Sequence, residues 1–136
     1  MANKGKSSWF TKLVGKSQPE NGGKFEAWQL KTGSSQFSFE KEKLDELLQK
    51  VDENQEEFMI VDPPAPVGDC NFIQLCPDIN GIGFHLEVSL RKRDGGSLLL
   101  GKDALSTDQV REMILDFVER HAIPDTCGWE EIGTFE

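Results

Sequence analysis

The chain has 136 residues, close to the commonest size of a single globular domain and long enough to bury a sizeable core. Fifteen lysines and arginines stand against 24 aspartates and glutamates, for a formal net charge of −9. The 13 glycines and six prolines are near-average contents, which exclude collagen-like and proline-rich low-complexity classes. The acidic balance argues against nucleic-acid binding, because proteins that bind phosphate backbones usually present a basic face.

The chain predicts a flexible basic tail, residues 1–23, ahead of a single domain, residues 24–136. Residues 1–16 hold four lysines and no acid, so the remainder carries a net charge of −13. Four apolar residues of the tail would lie on one side of a short helix: Trp9, Phe10, Leu13 and Val14. We expect residues 1–20 to contribute little to stability. The alternative is that the apolar side docks on a partner or a membrane surface.

The first elements of the domain are predicted from hydrophobic periodicity. The short aromatic run 25–30, bounded by glycines, predicts a strand. Residues 40–53 predict a helix, because leucines and a valine recur at the i, i+3, i+4 and i+7 spacing of one helix face. Residues 58–61 predict another strand, which the prolines that follow it end.

Residues 71–101 predict a three-strand antiparallel meander with Asn-Gly and Asp-Gly turns. Its middle strand, 82–90, alternates apolar and polar residues. We expect the apolar side, which includes Ile82 and Leu86, to be buried and the polar side, which includes His85 and Glu87, to be exposed.

Residues 106–121 predict a second amphipathic helix, opened by a capping box of Ser106 and Gln109. The C-terminal residues 127–135 predict a short edge strand. Together these elements predict the α+β class, with a mostly antiparallel sheet packed against two helices.

The cysteines predict reduced thiols and a cytoplasmic protein. Cys70 and Cys76 fall on one predicted strand, about 20 Å apart and beyond disulfide reach. With Cys127 they have no metal-ligand spacing, so we expect all three to fill the core. Neither a secretory signal nor a transmembrane segment is found in the sequence.

His85 and Glu87 are the only candidates for catalysis, as an acid/base pair or half of a metal site. Polar pairs two residues apart are more typical of a half-exposed strand without chemistry. The sequence contains neither a phosphate-binding glycine loop nor a complete calcium loop. We therefore expect no cofactor and no metal.

Three features of the second half form one pattern: the strand Phe84–Val88, a helix that opens at Leu105–Ser106 and runs through Val110 and Phe117, and the pair Trp129–Glu130. Over roughly residues 70–132, this pattern resembles small bacterial α+β immunity proteins, which neutralise toxins delivered by neighbouring cells. The resemblance implies a non-enzymatic inhibitor that covers the active site of a toxin. It carries over no individual functional residue, because such families share architecture more than fixed contacts.

The charge pattern independently favours a protein partner, in particular a basic one. Each predicted helix presents an acidic outer face, and acidic surfaces speed encounter with basic partners. The candidate binding residues are Glu42, Asp45, Glu46, Asp108, Glu112, Asp116 and Glu119. Two alternatives remain open: a secretion-chaperone-like protein, which is also small and acidic, and a small enzyme that uses His85 and Glu87.

Overall fold

The computed structural model describes residues 27–78 and 81–135. The tail predicted at 1–23 and the start of the strand predicted at 25–30 lie outside these residues. Within them the chain forms seven strands and two helices. In chain order they are β1 Gln29–Thr32, β2 Gln36–Ser38, α1 Lys41–Asp52, β3 Met59–Asp62, β4 Cys70–Pro77, β5 Phe84–Arg91, β6 Ser97–Leu105, α2 Thr107–Arg120 and β7 Glu130–Phe135.

The seven strands form one sheet in the order β2-β1-β3-β4-β5-β6-β7, and every neighbouring pair is antiparallel. The α+β class, the central meander β4-β5-β6 and the C-terminal edge strand are thereby confirmed. The first strand lies a few residues later than predicted, at Gln29–Thr32. β2 was not predicted as a strand because its three residues are too few to show an alternation.

Both helices pack on one face of the sheet and close the main core over it. Alternate residues of the inner strands, such as Ile73 and Leu86, contact the apolar sides of the helices. Leu44 and Leu48 of α1 and Phe117 of α2 are fully buried there, as their periodicity predicted. Among the described residues, no helix is long and apolar enough to cross a membrane.

The ends of α2 are set by local hydrogen bonds. The capping box is confirmed: Gln109 N donates to Ser106 Oγ at 3.1 Å, and Ser106 N donates to the Gln109 side chain at 2.9 Å. The helix ends at His121, whose backbone is left-handed. The His121 ring stacks on Trp28 with the ring centroids 5.9 Å apart, so this histidine has a packing role at the helix end.

Two residues that were predicted to be buried are exposed. Ile82 is 74% exposed, because the strand begins only at Phe84. Gly83 turns the chain just before this strand, with a φ of +73°. A Cβ at this position would lie 2.4 Å from the Leu105 carbonyl oxygen, so only glycine fits. Cys127 is also exposed and does not fill the core, because it lies in the turn that leads into β7. Cys70 and Cys76 are buried reduced thiols, as predicted.

The polar side of β5 is not exposed, which corrects the expectation for His85 and Glu87. His85 is 1% and Glu87 0% exposed, and Ser89 is buried as well. Neighbouring side chains of β4, β6 and β7 contribute to this burial. Both faces of the central strands are therefore buried.

Candidate functional site

The sheet face opposite the helices, here called the second face, carries a row of opposed residues that crosses five strands. The strand register places Lys31 opposite Ile60, Ile60 opposite Gln74, Gln74 opposite Glu87 and Glu87 opposite Gly101. Such directly opposed residues lie about 4.5–5.5 Å apart at their Cβ atoms and therefore interact. The row brings together residues whose spacing in sequence shows no motif.

A hydrogen-bonded cluster, buried except at the partly exposed Asp103, lies at the centre of this face. His85 Nε2 is 2.7 Å from Glu87 Oε2, and His85 Nδ1 is 2.6 Å from Asp103 Oδ1. Gln74 Nε2 donates to the other Glu87 oxygen at 2.7 Å. Both contacts of the imidazole are hydrogen bonds when each ring nitrogen carries a proton, because an ionised carboxylate only accepts.

A β-bulge in β6 brings Asp103 to His85. The pairing passes from Phe84–Leu105 to Leu86–Lys102, so β6 has one residue more than β5 at this point. Ala104 adopts a left-handed conformation there, with φ of 60°, and its N–H donates to Asp78 Oδ2 at 2.7 Å. Bulges commonly redirect a side chain in this way.

Gly101 makes room for the His85 ring. A Cβ at this position would lie 3.0 Å from His85 Cε1 and 3.0 Å from Ile132 Cγ1. Both distances are tighter than ordinary carbon–carbon contacts. The glycine therefore allows the imidazole of β5 and the isoleucine of β7 to meet over β6.

The chemistry open to this cluster follows from its geometry. A general base needs one ring nitrogen directed at a substrate, whereas both nitrogens of His85 face carboxylates. The two carboxylates also lie on opposite sides of the ring, so they do not converge on one ion. Among residues 27–78 and 81–135, no group of three or more histidine, cysteine or acidic side chains is placed to hold a metal ion.

An apolar patch lies beside the cluster on the same face. It consists of Phe58, Ile60, Phe72 and Cys76, all at most 7% exposed. The Lys31 ammonium borders it and pairs with Asp62 at 2.8 Å. The second face is thus apolar on one side and hydrogen-bonding on the other.

The predicted acidic helix faces form a separate surface. Asp45 pairs with Arg111 across the helices at 2.7 Å, and Lys41 pairs with Glu119 at 3.2 Å. Lys41 begins α1 and pairs near the end of α2, whereas Asp45, one turn later in α1, pairs with a residue closer to the start of α2. The two helices are therefore antiparallel. Their carboxylates therefore lie in one layer, here called the helical face.

Ion pairs engage several of the predicted binding residues. Lys43 and Lys50 hold Glu46 at 3.0 and 3.3 Å, and their hydrogen bonds lower the pKa of its carboxyl. Arg120 approaches Asp116 at 3.8 Å. Asp45 raises the pKa of the Arg111 guanidinium by its hydrogen bonds and charge.

The other three predicted binding residues have no salt bridge to the described residues. Glu42, Asp108 and Glu112 are exposed and lie in the first or second turn of their helices. Residues 40–53 and 107–121 together hold ten acidic and five basic side chains. Internal pairing therefore leaves the helical face net negative.

Sequence reasoning missed Gln74, Gly101 and Asp103 as residues that surround His85 and Glu87. Their roles depend on strand register and on the bulge, and neither has a signal in the sequence. The nearest indication is the interrupted alternation at the end of β6, where Asp103 and Ala104 precede Leu105.

Comparison with family models, curated proteins and solved structures gives no match for this chain.

Proposed function

We propose that this protein is a non-catalytic acidic module that binds a basic protein through its helical face. The observation that carries the proposal is the layer of exposed carboxylates on two antiparallel helices, of which only part is neutralised internally. Charged surfaces of one sign raise association rates with partners of the opposite sign. Glu42, Asp108 and Glu112 are the residues that we expect to contribute most.

The geometry of the second face supports a binding role over an enzymatic one. His85 and Glu87 are buried, and each ring nitrogen of the histidine faces a carboxylate. A catalytic histidine has to reach a substrate within about 2.6–3.2 Å, directly or through one water. Most polar atoms of the cluster are instead paired with one another in the sheet interior, as in a structural network.

The resemblance to immunity proteins suggests the class of partner. Such proteins inhibit toxins, and a nuclease toxin has a basic active-site surface because it binds a phosphate backbone. An acidic two-helix face would compete with the nucleic acid for that surface. A secretion chaperone is the alternative, and it would bind a partner that is not yet folded.

The test begins with purification of the protein and its partner from the native cell, followed by rapid-mixing kinetics. We expect the association rate to fall steeply as salt rises from about 0.05 to 0.5 M, because the Debye length contracts from roughly 14 Å to 4 Å. Glu112→Lys should lower the association rate more than it raises the dissociation rate. Asp94→Lys, in the exposed turn between β5 and β6, is the matched control with the same charge change.

Three results would contradict the proposal. The first is an association rate that is insensitive to salt, and the second is an equal effect of Glu112→Lys and Asp94→Lys. The third is a measurable turnover or bound metal that disappears in Glu87→Gln while partner binding persists. The isosteric variant is preferable to alanine because residue 87 is fully buried. A partner that binds only when unfolded would favour the chaperone alternative.

A further inference from the structure

The second face is buried, although both described helices lie on the other side of the sheet. Its apolar patch, Phe58, Ile60, Phe72 and Cys76, is at most 7% exposed, and the polar side chains of Gln74, His85 and Glu87 are equally buried. The core beneath the helices is a distinct set of residues on the opposite face. The burial of the second face therefore calls for a cover on its own side.

The composition of the face defines the chemistry of that cover. The apolar patch requires aromatic or aliphatic side chains. Gln74 Oε1 is buried without a hydrogen-bond partner, next to the Glu87 carboxylate that its own amide group binds. An orphaned buried acceptor costs about 1–3 kcal/mol. The cover is expected to be apolar on one side and to carry donors or positive charge on its flanks.

We propose that residues 4–16 of this chain dock on the second face. This segment has the required composition, with aromatic and aliphatic residues on one side of a predicted helix and lysines around them. The apolar residues are Trp9, Phe10, Leu13 and Val14, and the lysines are Lys4, Lys6, Lys12 and Lys16. The segment carries +4, whereas the face presents the carboxylates of Asp62, Glu87 and Asp103.

The connection to the sheet allows this docking. Residues 1–26 lead directly into β1, which lies beside the apolar patch because Lys31 pairs with Ile60 of β3. From β1 to β5 the distance across the sheet is three strand spacings, or about 14 Å. The linker between the segment and β1, residues 17–28, has twelve residues and spans up to about 40 Å when extended. The linker therefore reaches every part of the face.

This inference is independent of the proposed function, because the helical face and the second face lie on opposite sides of the molecule. It is opposed to the tail prediction, in which residues 1–20 contribute little to stability. If the segment docks on the second face, deletion of residues 2–16 lowers the melting temperature by more than about 5 °C. A smaller change means that the segment does not cover the second face.

Thiol labelling locates the docking more directly. Cys76 lies in the apolar patch, whereas Cys70 lies in the core under the helices and serves as an internal control. In a Cys127→Ser background, deletion of residues 2–16 should raise the labelling rate of Cys76 by iodoacetamide at least about tenfold. The labelling rate of Cys70, followed by peptide mass spectrometry, should stay within about twofold.

If the deletion variant does not fold, single substitutions in the full chain test whether the segment docks on the second face. Leu13→Glu places a charge on the apolar side of the segment, and Ser8→Glu places the same charge on its polar side. We expect only Leu13→Glu to accelerate labelling of Cys76. Equal effects of the two variants, or Cys76 still protected in Leu13→Glu, would overturn the proposal. Protection that is lost on dilution would assign the cover to a second copy instead.

Discussion

Glu87 is the residue whose replacement tests the buried cluster most directly. Its carboxylate accepts hydrogen bonds from Gln74 Nε2 and from the His85 ring, both at 2.7 Å, and it is fully buried. Glu87→Leu keeps a similar volume but leaves two buried donors without an acceptor. At about 1–3 kcal/mol for each donor, the free energy of unfolding should fall by about 2–6 kcal/mol.

Urea unfolding measures this loss, with Trp28 and Trp129 as fluorescent probes because both pack against the core. With a urea m-value of about 2 kcal/mol/M, the midpoint should fall by about 1–3 M. Glu130→Leu, at an exposed position on β7, is the matched control and should change stability by less than about 0.5 kcal/mol. The double variant Gln74→Leu/Glu87→Leu should cost less than the sum of the single variants, because the pair is removed together. A loss below about 0.5 kcal/mol in Glu87→Leu would refute the network interpretation.

Three further predictions concern the core, the thiols and the helix surface. Leu86→Asp buries an unpaired charge under the helices and should lower the free energy of unfolding by about 4 kcal/mol or more. A soluble variant with an unchanged melting temperature would contradict the packing of this strand against the helices. In the folded full chain, only the exposed Cys127 should react rapidly with a thiol reagent, whereas burial raises the pKa of Cys70 to about 12 and keeps its thiol protonated. Glu46→Gln should lower the melting temperature at pH 7 because the Lys43 hydrogen bond lowers the pKa of Glu46. The difference in melting temperature between this variant and the unmodified protein should shrink as pH falls below 4.5 and vanish below the lowered pKa, because Glu46 is then protonated. A difference that persists at such a pH would contradict the ion-pair explanation.

Local patterns were sufficient for the elements with strong periodicity. The helices at Lys41–Asp52 and Thr107–Arg120 and the capping box at Ser106 follow from apolar spacing and side-chain capping, which act within a few residues. The two glycine turns specified the meander for the same reason. Only its boundaries shifted, as at Ile82, where the conformation of Gly83 delays the strand.

The burial of the polar side of β5 was not predictable from alternation. Alternation indicates which residues share a face, but it does not say whether the second face is also covered. His85 and Glu87 share a face as predicted, and yet both are buried, because this face is not left open to solvent as the other side of a half-exposed strand would be. Whether a second face is covered is decided by the packing of the whole chain.

The sequence by itself determined the α+β class, the two amphipathic helices, the central meander and the excess of acid on the helices. These features depend on residues close together in the chain. Only the tertiary structure decided which polar residues meet. Gln74, Glu87, His85 and Asp103 come together through the register of three strands and one bulge, and register is set by the packing of the whole sheet rather than by any local pattern.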